Sequence, residues 1–192
     1  MRNVVLMAMI SVGTTVMLSG CGGDIATVKD GYLNSYKSTT IGNAFNNYKV
    51  YDKTQWSDFK TDNGEKVVEF IGKMKPEALT GICTLLDGIE QDDIKESKKQ
   101  CISIFSDIKS AEHIVQFTIN HDNTFEINSI EFKYVWSNGK ISKNSLELKD
   151  FLADLYNNKY VFEDFSNSPS DQRWQIVTIL TKSFSMLKQQ AK

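Results

Sequence analysis

The stretch that best predicts the fold of this chain is residues 114–136, which read IVQFTINHDNTFEINSIEFKYVW. Apolar and polar residues alternate over residues 115–119, and a spacing of two is typical of a strand that is buried on one side. Residues 120–123, Asn-His-Asp-Asn, are turn formers because Asn and Asp tolerate a left-handed backbone. Since the alternation resumes at Phe125, the sequence predicts two antiparallel strands joined by this turn.

The second of these strands changes parity partway along. Its apolar residues fall on odd numbers up to Ile127. From there they fall on even numbers, at Ile130, Phe132, Tyr134 and Trp136. A shift of one residue reverses the face that each side chain occupies, so a β-bulge or a strand break is predicted at residues 128–129. The intervening residues are expected on the opposite face from the core: Glu131, Lys133 and Val135.

Further elements extend outward from this pair of strands. A second hairpin is predicted upstream, because the strand-like residues 56–60 and 66–72 flank an Asn63-Gly64 turn. Apolar stripes at three- and four-residue spacing predict helices near residues 40–52, 79–109, 144–155 and 168–187. The sequence therefore predicts an α+β fold, with helices packed on one face of an antiparallel sheet in a single domain over residues 32–192.

Three of these helices carry capping signals at their amino ends. One of Ser38, Thr39 and Thr40 is expected to cap the first helix. Asn144, followed by Glu147, predicts a cap for the third, and Ser168 precedes a proline at the expected first position of the last helix.

The first 21 residues have the composition of an export signal. Arg2 is the only charged residue before Cys21, and residues 4–18 are uncharged. That apolar run of about 15 residues is shorter than the ~20 residues needed to cross a bilayer as a helix. It ends in Leu18-Ser19-Gly20-Cys21, which resembles the lipobox of bacterial lipoproteins.

The resemblance implies how the chain is processed and where in the cell it is located. Residues 1–20 would be removed as a signal peptide, and the thiol of Cys21 would accept a diacylglycerol. Residues 21–31 are then predicted to form a lipidated tether. Gly22 departs from the Asp that commonly marks inner-membrane retention, so the expected site is the outer membrane, facing the periplasm or the surface. The alternatives are an ordinary secretory signal with a coincidental cysteine, or an uncleaved anchor helix.

Two cysteines remain besides Cys21. Cys83 and Cys101 form an even pair in an exported chain, which favours a disulfide. Two reduced, buried thiols or a metal site are the alternatives. A zinc site requires clustered ligands, and His113 and His121 do not have that spacing. We therefore predict a disulfide and no metal or other cofactor.

The charge of the mature chain argues against nucleic acid as a partner. After Cys21 it has 21 basic and 24 acidic residues, a net charge of −3, whereas nucleic-acid surfaces are basic. The acidic residues around Asp92, Asp93 and Glu96 alternate with lysines. They favour a solvated helix face over a cation site, because a calcium loop has a different ligand spacing.

Catalytic signatures are sparse. His121 beside Asp122 is the most suggestive pair, but turn composition explains both residues, and His113 is expected at the surface. The chain has no nucleophile elbow, zinc-protease helix or phosphate-binding glycine loop. No catalytic residue is therefore predicted. A non-enzymatic binding or assembly module (scaffold, pilotin, exclusion or inhibitor type) is favoured over a small envelope hydrolase acting on peptidoglycan or peptide.

A partner surface can also be predicted. If the strand at residues 130–136 lies at the sheet edge, its free backbone groups can accept a strand from an envelope protein. The residues expected there are Glu131, Lys133, Val135 and a partly exposed Trp136. The charges of Glu131 and Lys133 fit equally a protected edge that discourages pairing.

Overall fold

A computed structural model describes residues 23–191 of the chain. The predicted signal peptide and Cys21 lie outside these residues. The strands are β1 Tyr51–Lys60, β2 Lys66–Met74, β3 Ile108–Ile119, β4 Phe125–Trp136 and β5 Ile141–Ser145. The α-helices are α1 Asp24–Lys29, α2 Ile41–Asn46, α3 Pro76–Thr80, α4 Asp92–Ser106, α5 Leu148–Asn157 and α6 Ser170–Gln190. Two 3₁₀ helices, Gly81–Leu86 and Val161–Phe165, complete the described elements.

The five strands form one antiparallel sheet in the order β1-β2-β3-β4-β5. Both predicted hairpins are confirmed, and their turns contain Gly64 (φ 83°) and Asn123 (φ 62°) in the left-handed region that turns of this kind require. The predicted parity change is also confirmed. Gln116 pairs with Ser129 but Phe117 pairs with Ile127, which leaves Asn128 as the bulged residue.

All the helices that build the core lie on one face of the sheet. Ala111 and Val115 lie on the same side of β3, yet they belong to two different hydrophobic clusters. The first core contains Phe45, Phe70 and Phe117 and lies beneath α1, α2 and α5. The second core contains Cys101, Phe105, Trp136 and Val177 and lies beneath α4, α6 and the 3₁₀ helix Gly81–Leu86. The α+β prediction, with helices on one face, is therefore confirmed.

The predicted tether is wrong from Asp24 onward. Residues 24–29 form α1, and Val28 is fully buried in the first core. The reason is that Ile25, Val28 and Leu33 supply enough apolar surface to hold this segment on the sheet.

Of the three predicted helix caps, one is confirmed and two are wrong. The amide of Asn43 donates to Thr40 Oγ1 at 3.2 Å, as expected for a cap. Asn144 instead lies in β5, and α5 begins at Leu148 with no side-chain cap. The last helix likewise begins after Pro169, not after Ser168, because the ψ of 151° at Pro169 is extended and makes this residue the N-cap.

The predicted helical stretch 79–109 consists of the end of α3, the 3₁₀ helix Gly81–Leu86 and α4, with the non-helical residues 87–91 before α4, and β3 begins at Ile108. Within the described range of the chain, no helix is long and apolar enough to span a membrane.

Candidate interaction surface

The sheet has one face with no helix over it in the part of the chain that the structure describes. Along β3, the odd-numbered residues from Ala111 to Ile119 point into the cores and are buried, while the even-numbered ones are half-exposed. The register extends this division across the sheet, because residues paired across antiparallel strands share a face. We call the uncovered side, which carries Glu112, Ile114 and Gln116 of β3, the open face.

Three of the four predicted surface residues lie on the open face. Glu131, Lys133 and Val135 alternate with the core residues of β4 and are each half-exposed. The even–odd pattern of the sequence is therefore sufficient to place them.

Trp136 corrects the prediction of partial exposure. Its side chain is 0% exposed in the second core, where its Nε1 donates to Ser142 Oγ at 2.8 Å. The Ser142 hydroxyl in turn donates to the backbone oxygen of Leu187 at 2.8 Å, which fixes the end of α6 over the indole. A tryptophan next to a turn is buried here because a helix from the distant carboxyl terminus covers it.

The edge position on which strand addition to residues 130–136 depends is not found. β5 pairs with β4 from Glu131 to Val135, so the edges of the sheet are β1 and β5. The sequence does not predict β5, because its residues, Ile-Ser-Lys-Asn-Ser, include one apolar side chain and resemble a turn followed by a cap. Strand addition to β4 is consequently not available.

Polar side chains on the open face are linked across the strands. Lys133 Nζ lies 3.1 Å from Glu112 Oε2, and Lys143 Nζ lies 2.7 Å from Glu131 Oε2. The Gln116 amide donates to Glu69 Oε2 at 2.8 Å. Sequence reasoning did not find Lys143, Glu112 or Glu69, because only the pairing register brings them beside β4.

The sequence predicts His113 at the surface, but its side chain is buried against aromatic residues of the first core. It is 5% exposed, its Nδ1 lies 2.9 Å from Tyr51 Oη, and its ring lies 4.3 Å from that of Phe132. Gly72, which pairs with His113, allows this contact because a Cβ there would come within 2.5 Å of the Tyr51 ring. Burial lowers the pKa of His113 to about 3, so the ring is neutral at pH 7.

His121, in contrast, is exposed and lies in a pocket between the turns of the β1–β2 and β3–β4 hairpins. The pocket has a volume of about 370 Å³, and Lys60, Lys66 and Gly64 also line it. The neighbouring Asp122 carboxylate accepts from the Thr124 hydroxyl and amide, and these bonds lower its pKa. Asp122 therefore stabilises its own turn, as the turn composition indicates.

The charged stretch before and within α4 forms a solvated helix face. Lys95 pairs with Glu90 at 2.9 Å, and Lys98 pairs with Asp87. Within residues 23–191 no group of three or more His, Cys, Asp or Glu side chains is arranged to hold a metal ion.

Cys83 and Cys101 lie at disulfide distance, with their sulfur atoms 2.02 Å apart. The bond joins the 3₁₀ helix Gly81–Leu86 to α4 within the second core. The predicted disulfide therefore agrees with the structure.

The two ends of the sheet differ in their position relative to the amino terminus. Asp24, the first residue of α1, pairs with Lys66 at 3.0 Å, and Lys66 begins β2 directly after the first hairpin turn. Gly31 packs against the ring of Phe125, which follows the second hairpin turn. The described amino terminus thus lies at the end of the sheet that carries the turns of the β1–β2 and β3–β4 hairpins, which we call the hairpin end.

Comparison of the chain with protein-family models, with curated proteins and with solved structures finds no significant match. The amino-terminal motif and the geometry described above are therefore the features that bear on function.

Proposed function

We propose that this protein is a lipid-anchored component of the bacterial cell envelope that binds a protein partner through the open face without catalysing a reaction. The observation that supports it best is the open face itself. It spans five strands, no described helix covers it, and it combines paired charges with half-exposed apolar residues such as Ile114 and Val135. Broad, ordered surfaces of this mixed character suit protein recognition.

The anchor is proposed from the lipobox-like residues 18–21. Cys21 precedes Asp24 by three residues, which can span at most about 11 Å. A lipid on Cys21 would consequently hold the hairpin end close to the bilayer. The expected location is the outer membrane, because Gly22 occupies the position after the lipidated cysteine.

This orientation leaves the open face accessible. Its strands run away from the hairpin end, so a partner can approach from the side or from the distal end without meeting the membrane. The face needs no movement of the described helices to be reached, because they all pack on the other side of the sheet.

The geometry gives no comparable support to the hydrolase alternative. His113 has a strongly lowered pKa, but burial alone causes it, and the ring lies within the core beside Tyr51. His121 is exposed beside a carboxylate that is already engaged by Thr124. Neither histidine is oriented as a general base towards a nucleophile.

Mass spectrometry of the mature protein tests the anchor. We expect an amino-terminal Cys21 that carries acyl chains, and we expect the Cys21→Ser variant to remain an unprocessed, unmodified precursor. A wild-type protein with an unmodified Cys21 would contradict the anchor, whatever its partner.

Photo-crosslinking in intact cells tests the surface. A benzoylphenylalanine residue in place of Ile114 lies at the centre of the open face, and one in place of the exposed Lys182 of α6 is the control on the helical side. We expect a discrete protein adduct from position 114 and none from position 182. Adducts from position 182 alone would assign binding to the helices and overturn the proposal.

A further inference from the structure

One row of residues across the open face has an unusual charge pattern. The register places Lys53 opposite Lys73, Lys73 opposite Glu112, Glu112 opposite Lys133, and Lys133 opposite Lys143. We call these five residues the lysine row. Adjacent strands are about 4.8 Å apart, so the row places four ammonium groups over roughly 19 Å, at right angles to the strands.

The row contains two like-charge pairs in directly opposite positions. Such pairs destabilise a sheet, because side chains opposite each other on neighbouring strands approach closely. Lys133 and Lys143 are compensated by Glu112 and Glu131, respectively. Lys53 and Lys73 are exposed and make no ion pair among the described residues. Since no described carboxylate forms an ion pair with either lysine, an anionic ligand would relieve the repulsion between them.

Apolar residues border the lysine row on both sides. Towards the hairpin end, Ile71 pairs with Ile114, and both are half-exposed. Towards the distal end, Val135 pairs with Ile141, which is 42% exposed. A ligand that neutralises the lysines is thus positioned to bury apolar side chains to either side.

We propose that the lysine row and its apolar borders bind an acidic segment of a partner protein, one that presents carboxylates together with apolar side chains. This inference rests on the proposed function and names the chemistry of its partner. An anionic glycan or polyphosphate would neutralise the lysines but would leave Ile71, Ile114 and Ile141 without an apolar contact.

The position of the row disfavours the anchoring bilayer as the anionic ligand. Lys73 is seven residues from Lys66 along β2, or about 23 Å from the hairpin end at ~3.3 Å per residue. That distance exceeds the Debye length of about 8 Å at physiological ionic strength, beyond which attraction to anionic headgroups is screened. With the strands upright on the membrane, the lysine row therefore lies beyond the range of this attraction.

The test measures binding of defined probes to the full mature protein in detergent. The probes are an amphipathic peptide of Glu and Leu, poly-glutamate of equal charge, and polyphosphate. We expect the Glu/Leu peptide to bind most tightly. Its affinity should fall about tenfold in Lys53→Gln/Lys73→Gln, because charged groups at an interface contribute strongly to recognition. The matched control Lys99→Gln/Lys182→Gln removes the same charge from α4 and α6 and should change affinity less than about twofold.

A second variant examines the apolar border. Ile141→Ser keeps every charge, and we expect it to weaken the Glu/Leu peptide severalfold while leaving poly-glutamate unchanged. Equal losses in the two lysine double variants, or no binding of the peptide to the wild-type protein, would overturn the inference. Tighter binding of polyphosphate than of the peptide would assign the row to a non-protein polyanion and overturn it as well. These results are independent of the photo-crosslinking at position 114, so the proposed function can survive failure of this inference.

Discussion

The first and second cores are built by different means on the same face of one sheet. The first is an aromatic cluster in which Phe45 contacts the rings of four neighbours: Trp56, Phe70, Phe117 and Phe151. The second has fewer ring contacts and is crosslinked by Cys83–Cys101. It is also fastened by polar contacts at the end of α6, where Lys188 pairs with Asp107 at 2.7 Å and lowers the pKa of that carboxyl.

The difference reflects how much sheet lies beneath each core. β1 and β2 contribute Trp56, Val68 and Phe70 to the first core, whereas the second rests on the ends of β3 and β4. Among the 21 residues of the long helix α6, only Val177 and Thr181 are buried. A core with less apolar burial requires other constraints, and an exported protein can supply a disulfide.

The largest effect is expected from removing the centre of the first core. Phe45→Ala deletes a ring that is 0% exposed and should lower the free energy of unfolding by about 3–5 kcal/mol. Phe184→Ala is the matched change in the second core, where the half-buried ring contacts Phe105 and Tyr134. Its cost should be clearly smaller, as measured by urea unfolding. Equal costs would show that the two cores do not differ as described.

Removing the disulfide should act mainly on the second core. For a crosslink that spans 18 residues, Cys83→Ala/Cys101→Ala should lower stability by about 3 kcal/mol. Hydrogen exchange should show lost protection in α4 and the 3₁₀ helix Gly81–Leu86 before any change in β2. Uniform loss of protection over the sheet would contradict the separation into two cores.

A pH dependence should come from the first core, because His113 is buried there as a neutral ring. In the unfolded chain its pKa is near 6.5, and in the fold it is about 3. Below pH 6.5 the unfolded state binds the proton and the folded state does not, so stability falls as the pH decreases, by roughly 1.4 kcal/mol per unit. Unfolding measured at pH 7 and at pH 5 should show that the free energy of unfolding falls by about 2 kcal/mol.

The two histidines allow an internal comparison of how the free energy of unfolding changes with pH. His113→Gln should flatten this dependence, whereas His121→Gln removes an exposed ring and should leave it unchanged. A slope that persists in His113→Gln would mean that other groups cause it.

The smallest expected effect is a gain in stability on the open face. Lys53→Glu places a carboxylate opposite Lys73 and should stabilise the sheet by roughly 0.2–1 kcal/mol, since it turns a like-charge pair into an attractive one. Lys182→Glu, an exposed change on α6, should stay within about 0.5 kcal/mol of the wild type. Thermal unfolding of both variants against the wild type measures the difference.

Local patterns predicted much of this fold, and long-range contacts determined the rest. The two hairpins, the bulge at Asn128 and the facing of Glu131 and Lys133 follow from alternation and turn chemistry, which depend on neighbouring residues. The burial of Trp136 depends on α6, about 40–50 residues further along the chain, and that of His113 depends on Tyr51. No local pattern contains those contacts.

The lysine row was equally inaccessible to sequence reasoning. Its members come from all five strands, and only the register of four strand pairs places them side by side. The missed strand β5 contributes Lys143, so even a correct prediction of the other four strands would have left the row incomplete.

The most direct test of binding at the open face measures two quantities on one variant. Lys53→Glu removes a positive charge from the lysine row and relieves a like-charge pair, so its unfolding free energy and its affinity for the Glu/Leu peptide should change in opposite senses. We expect Lys53→Glu to be more stable than the wild type and to bind the peptide several times more weakly. Unchanged affinity together with raised stability would contradict the assignment of the lysine row to an acidic segment of a partner.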